Sequence, residues 1–164
     1  MASTTAQNFE SLGYNGPNLS IHSAKATQVI GDAAATRTLK RKESGATCLF
    51  DAAAGVVYTL PAPVIGMEFE FITTVSCTSN SHKVITDGAA TFLLGEVLMF
   101  TTATASPAGF AFNGTTHVAV TSNGSTTGGL IGSRVKVKAL SSTVWFIEGG
   151  MVGSGTIVTP AATS

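Results

Sequence analysis

"LFDAAAGVVYTLPAPVIGMEFEFI", Leu49 to Ile72, is the stretch whose reading decides the fold. From Met67 onward apolar and charged residues alternate. Met67, Phe69 and Phe71 fall on one side, Glu68 and Glu70 on the other. A period of two is the signature of a strand with one buried face. Upstream, "VVYTLP" repeats the pattern, with Val56, Tyr58 and Leu60 opposed to Val57 and Thr59. Pro61 and Pro63 cannot donate to a ladder and, with Gly66, close this strand in a tight loop. "ATCLFDA" reads as one more strand and "AAG" as its turn. No side chain in the stretch is arranged for chemistry.

Reading outward, "KVITD", "GAATFLLGEVLMFTT", "FAFNGTTHVAV", "RVKVKAL", "TVWFIEGG" and "GTIVTP" all carry strand signals. "RVKVKAL" alternates strictly, turning Val135, Val137 and Ala139 inward and Arg134, Lys136 and Lys138 outward. Asn113-Gly114 and Asn123-Gly124 fit type I′ hairpin turns, since both residue types tolerate positive φ. "IGDAAATRTLKRK" holds the one possible short helix, but "TRTLKRK" alternates better as a strand with a basic outer face. Eight to eleven short strands without a convincing long helix predict an all-β domain, an antiparallel sandwich, jelly roll or small barrel. No internal repeat of fixed period is visible, which argues against propellers and solenoids. The core is expected to include Leu49, Tyr58, Leu60, Phe69, Phe71, Val84, Val118, Val135, Val137, Val144 and Phe146. Trp145 is left to face either a subunit interface or a second buried layer.

The domain is expected to span residues 27–164. Residues 1–26 are polar, with Gly13, Gly16 and Pro17, and read as an extended N-terminal arm that orders only against a partner. A solvated tail is the alternative, but Phe9, Leu12 and Tyr14 are anchors such a tail does not need. No run approaches the ~20 apolar residues of a membrane helix, and the N-terminus lacks the order of a secretion signal. Synthesis in the cytoplasm is the expectation.

Of 164 residues only 11% are charged, 9 basic against 9 acidic, for a net charge of zero. Soluble domains usually carry about 25%, so part of this surface is expected to be covered by other chains.

A search for chemistry finds little. His22, His82 and His117 form no metal-ligand spacing. His82 reads as a turn residue and His117 as a strand residue opposite Val118 and Val120. Cys48 and Cys77 sit in apolar, strand-like settings and read as buried thiols rather than a disulfide or ligand pair. Glu68 and Glu70 lie about 7 Å apart on one strand face; a face salt-bridged to Lys136 and Lys138 explains them more simply than a glycosidase pair. "GGLIGS" lacks the lysine and helix of a phosphate loop. Lys40, Arg41 and Lys42 form the sole basic cluster, too narrow for a nucleic-acid footprint; it reads as a solvated strand end or a contact with an acidic protein patch. No catalytic, metal or cofactor site is predicted.

Lys42 to Thr86, "KESGATCLFDAAAGVVYTLPAPVIGMEFEFITTVSCTSNSHKVIT", resembles a segment of small virion proteins of tailed bacteriophages, in particular head decoration, or cement, proteins. The resemblance implies a non-enzymatic structural protein on the outer capsid surface of the virion. It further implies a homo-oligomer, commonly a trimer, with the major capsid protein as partner and a role in stabilising the expanded head. Neither nucleic acid nor membrane is an expected partner. On position and chemistry the expected capsid contacts are Phe9, Leu12, Tyr14, Lys40, Arg41 and Lys42. The alternative is a tail-fibre or receptor-binding module that recognises host carbohydrate through "NGTT" and "TSNGSTTGG".

Overall fold

Twelve strands form two facing sheets in the computed structural model, which describes residues 28–31, 35–88, 90–103 and 106–164. The expected arm, with Phe9, Leu12, Tyr14 and His22, lies outside the described residues. The strands are β1 (Val29–Ile30), β2 (Thr36–Thr38), β3 (Thr47–Phe50), β4 (Val57–Thr59), β5 (Glu68–Thr73) and β6 (His82–Ile85). They continue as β7 (Phe92–Thr101), β8 (Ala108–Asn113), β9 (Ala119–Ser122), β10 (Arg134–Ala139), β11 (Val144–Gly153) and β12 (Ala161–Ala162). The larger sheet runs β1-β3-β5-β10-β11-β7-β8, and the smaller runs β12-β9-β6-β4-β2. The all-β, sandwich-like expectation holds. The strand expected over "GTIVTP" does not form: β11 ends at Gly153 and the last strand is Ala161–Ala162, beyond Pro160, which has no N–H to give a ladder.

The sheets are mixed rather than antiparallel throughout. Strands β1 to β6 alternate between the two sheets, so that β1, β3 and β5 pair in parallel in one, and β2, β4 and β6 in the other. The chain thus coils through three turns in the manner of a two-sheeted solenoid. In register, Val29, Thr47 and Glu70 are neighbours, as are Thr36, Val57 and Lys83. These steps are unequal, so no fixed repeat marks the coil in the sequence. From β7 onward the pairing is mainly antiparallel, apart from the long parallel ladder between β7 and β11. Gly95, at φ +135°, occupies an inward position of β7, whose alternation runs in phase through it. A Cβ there would land on the Ile147 carbonyl oxygen of β11, so glycine lets the two strands approach.

Between the sheets lies one core. Phe50 stacks on Phe71 and His82 and meets Tyr58 at a tilt, with centroid distances of 5.9, 4.6 and 5.6 Å. Tyr58 is fully buried and its hydroxyl donates to the Leu49 carbonyl at 2.8 Å. Leu60, Phe69, Phe71, Val84, Val135 and Val137 are buried as expected, each large apolar side chain contributing about 1.5–3 kcal/mol on burial. Four expectations fail. Leu49, Val118, Val144 and Phe146 are only half-buried, while Cys48, Phe50, Trp145 and Ile147 point inward. "TCLF" and "VWFI" contain unbroken apolar runs, whose phase periodicity cannot fix. Space decides it: Trp145 fills the core 6.0 Å from Phe69 and so belongs to the main interior.

The Asn-Gly pairs do not form hairpins. β8 and β9 lie in different sheets, and β9 leads on to β10 in the larger one. Each asparagine instead organises a loop with its side chain. Asn113 Oδ1 accepts from the N–H of Thr115 and Thr116, and its Nδ2 donates to Thr116 Oγ1 at 2.7 Å. Asn123 repeats the device, accepting from Ser125 and Thr127 and donating to Thr126 Oγ1. Side-chain-to-backbone bonds of this kind compete with the hairpin turn.

Candidate functional site

The outer face of the larger sheet divides into two halves of different chemistry. Over β5 and β10 it is charged. Lys138 lies opposite Glu68 and Lys136 opposite Glu70, as the alternation predicted. The ion pairs run diagonally, however: Lys136 Nζ to Glu68 at 3.1 Å and Arg134 to Glu70 at 3.6 Å. Thr47 Oγ1 donates to Glu70 at 3.5 Å from the neighbouring β3. A shallow open groove lined by residues 45–47, 68–70 and Lys136 lies over these pairs. The two glutamates are therefore the acidic members of a compensated surface ladder. Pairs this exposed contribute about 0–1 kcal/mol each.

Over β11, β7 and β8 the same face is apolar. The parallel register sets Val144 beside Phe92, Phe146 beside Leu94, Gly150 beside Leu98 and Val152 beside Phe100. Leu94, Leu98 and Phe100 are 39%, 43% and 43% exposed, which places three of the largest uncovered apolar side chains on one strand face. β8 ends the sheet; its outward residues Gly109 and Ala111 add no cover, and Asn113 stands at the edge beside Leu94. Glu96 and Glu148 interrupt the middle of this half, side by side in register, and Asn113 its edge.

The basic cluster stands elsewhere. The strand expected over "TRTLKRK" ends at Thr38, and Arg41–Glu43 form a single 3₁₀ turn. Glu43 is buried and accepts from the Lys40 N–H at 2.7 Å and from Arg37 at 3.0 Å. Burial raises the affinity of this carboxyl for a proton, but the Lys40 N–H and the Arg37 guanidinium outweigh it and hold its pKa below the usual value of 4.5. The turn is thereby fixed, with Leu39 in the core and Lys40, Arg41 and Lys42 exposed. Among the described residues these three side chains form no ion pair. Glu43 caps the Lys40 N–H at the three-residue spacing of a capping box, but with lysine in place of Ser or Thr at the first position the sequence carries no such signature.

His82 is a buried β6 residue, not a turn residue. Its Nδ1 accepts from the Val56 N–H at 3.2 Å, so Nε2 carries the proton and donates to the Val75 carbonyl at 3.0 Å. Both nitrogens are occupied by backbone, and burial lowers the pKa from 6.5, the Val75 carbonyl opposing that only in part. His117 precedes β9 rather than lying in it; it accepts from the Asn113 N–H and meets Phe112 edge-on. Cys48 and Cys77 are free, buried thiols, as read from the sequence. Burial pushes the Cys48 pKa up to about 12.

No group of three or more His, Cys, Asp or Glu side chains among the described residues is placed to hold a metal ion. Of the expected contact residues, the structure presents Lys40, Arg41 and Lys42 together, while Phe9, Leu12 and Tyr14 lie outside the described residues. The apolar half-face was missed because "FLLGEVLMF" and "VWFIEGG" are apolar at nearly every position, so nothing in them marks the side left uncovered. Comparison with protein-family models, with curated proteins and with solved structures finds no match.

Proposed function

We propose that this protein is a virion structural protein, a decoration or cement protein that binds the outer capsid surface of a tailed bacteriophage and stabilises the expanded head. The observation that carries the reading is the uncovered apolar half-face on an otherwise well-packed sandwich. Monomeric soluble proteins rarely leave contiguous apolar area of this kind open; it marks surface that another chain covers, as in a protein that works within an assembly. The low charge content points the same way. The resemblance adds the setting. Lys42 to Thr86, the stretch that resembles decoration proteins, contributes β3, β4, β5 and β6, the middle of the coil. On this reading the protein is made in the host cytoplasm and carries out no catalysis. It works as a homo-oligomer, a trimer by resemblance, repeated over the shell, where many weak contacts add through avidity. Lys40, Arg41 and Lys42, held rigidly outward, are suited to an acidic protein surface, and residues 1–26 would supply further capsid contacts.

Co-sedimentation of the full chain with expanded capsids that lack it tests the proposal. Saturable binding at a fixed ratio to capsid subunits, weakened in a chain starting at Ala26, is the expected result. Failure to bind capsids, with the protein found on tails or host cells instead, would refute it.

A further inference from the structure

Two clusters of exposed charges form no ion pair among the described residues. Glu96 and Glu148 sit side by side in the apolar half-face, and neither forms an ion pair among the described residues. Lys136, next to Glu148 in register, turns the other way, to Glu68. The second set is Lys40, Arg41 and Lys42, on the rigid turn before β3. That turn is tied to β5 by bonds from the Gly45 N–H to the Glu68 carbonyl and from the Glu68 N–H to Ser44 Oγ. β5 and β7 are separated in the sheet by β10 and β11, roughly 14 Å at the usual strand spacing. The acidic and basic sets are therefore separate patches of one molecule, with no ion pair between them among the described residues.

We infer that the apolar half-face is covered by a second copy of this chain, whose Lys40–Lys42 turn meets Glu96 and Glu148. Three arguments select this occupant. An apolar partner alone would leave two neighbouring carboxylates desolvated and unpaired, which is costly. Two half-faces packed on one another would bring four carboxylates together, and like charges facing across an interface are strongly disfavoured. A surface with matching excess basic charge is needed, and among the described residues Lys40, Arg41 and Lys42 are the one cluster of three basic side chains without an ion pair, whereas Lys138, also without one, stands singly on β10. The area is also of the right order. β7 and β11 are 10 residues long and β8 is 6, so the patch covers roughly 400 Å² in projection. A standard interface takes ~800 Å² from each partner.

Because the two surfaces differ, the contact is heterologous, and a heterologous contact that closes makes a ring. The acidic surface that the basic turn meets is then the neighbouring subunit. This inference concerns the purified chain alone, so failure of capsid binding and failure of self-association are separate results.

Sedimentation equilibrium of the full chain at up to about 100 μM tests it, with three variants whose fold is checked by circular dichroism. Glu96→Lys with Glu148→Lys reverses the face, and Lys40→Glu with Arg41→Glu and Lys42→Glu reverses the turn. The third variant carries all five changes. The wild-type chain is expected to form a discrete oligomer, with each single-surface reversal weakening it by about 100-fold or more and the combined variant recovering to within about 10-fold. A monomeric wild-type chain would overturn the inference. So would an oligomer indifferent to both reversals, or a combined variant that associates no better than either set alone.

Discussion

Replacing His82 by phenylalanine should separate what the imidazole does by packing from what it does by hydrogen bonding. The ring stacks 4.6 Å from Phe50, and phenylalanine can keep that contact. What it cannot keep are the bonds to the Val56 N–H and the Val75 carbonyl. Val56 is buried, so its N–H is left with no partner; Val75 is half-buried, so its carbonyl is partly recovered by water. A buried unsatisfied donor costs about 1–3 kcal/mol and a lost ordinary hydrogen bond about 1, giving about 2–4 kcal/mol in all. In a domain of this size that lowers Tm by about 5–15 °C. The pH dependence is a second, independent readout. With a folded pKa lowered from 6.5, the native state holds His82 neutral while the unfolded chain takes up a proton. Its contribution is therefore fully present above pH 6.5 and is lost as the pH falls from there toward the folded pKa. The slope cannot exceed about 1.4 kcal/mol per pH unit for one proton. Urea unfolding of both proteins between pH 7.5 and pH 5 should show the gap between them narrowing as the pH falls. Equal stability at pH 7.5, or a gap that does not change with pH, would refute the account of a buried neutral imidazole bridging two backbone groups.

Three further outcomes follow from other parts of the structure. Glu43→Ala should cost about 2–3 kcal/mol in chemical denaturation, and Glu43→Gln, which keeps an acceptor for the Lys40 N–H, about 1. The wild-type advantage over either should fade only as the pH falls below 4.5 and through the lowered folded pKa. Gly95→Ala should destabilise the protein by at least about 2 kcal/mol in the same assay, because it sets a side chain at positive φ against the Ile147 carbonyl. Cys48, its thiol held protonated up to about pH 12 by burial, should react with Ellman's reagent only at the rate of unfolding, and prompt labelling in the native state would contradict its burial.

The fold class was legible because strict alternation fixes both period and phase. In "MEFEF" and "RVKVKA" a charge stands at every second position, so the inward face could be named residue by residue. Where the apolar run is unbroken the period survives but the phase is lost. Leu49, Val144 and Phe146 were consequently assigned to the interior in place of Phe50, Trp145 and Ile147. The parallel coil of β1 to β6 was illegible for a different reason. Parallel pairing joins strands that are distant in the chain, and register steps from 18 to 26 residues leave no period to detect. The asparagine loops misled because Asn-Gly serves both a hairpin turn and a side-chain-capped loop; whether the flanking strands share a sheet decides between them, and that is a tertiary fact. Of the candidate contact residues, the exposure of the basic cluster could be read from its charges, but its rigidity depends on Arg37 and Glu43, which had no assigned role.

A consequence concerns how much the resemblance can carry. Its matching letters are the turn glycines, prolines and alternating apolar residues of β3 to β6, the residues a tight parallel coil needs whatever protein contains it. They account for the scaffold. The surface that would commit this scaffold to a partner lies on β7, β8 and β11, downstream of Thr86 and outside the resembling stretch. Two proteins could share the coil completely and differ wholly in what covers that face. Residues that discriminate between a capsid-bound protein and a tail module should therefore be sought at the outward positions Leu94, Glu96, Leu98, Phe100, Phe146 and Glu148. A relative that keeps the coil but fills those positions with dispersed charges of both signs would stand alone in solution, because its sheet would have no face left to cover.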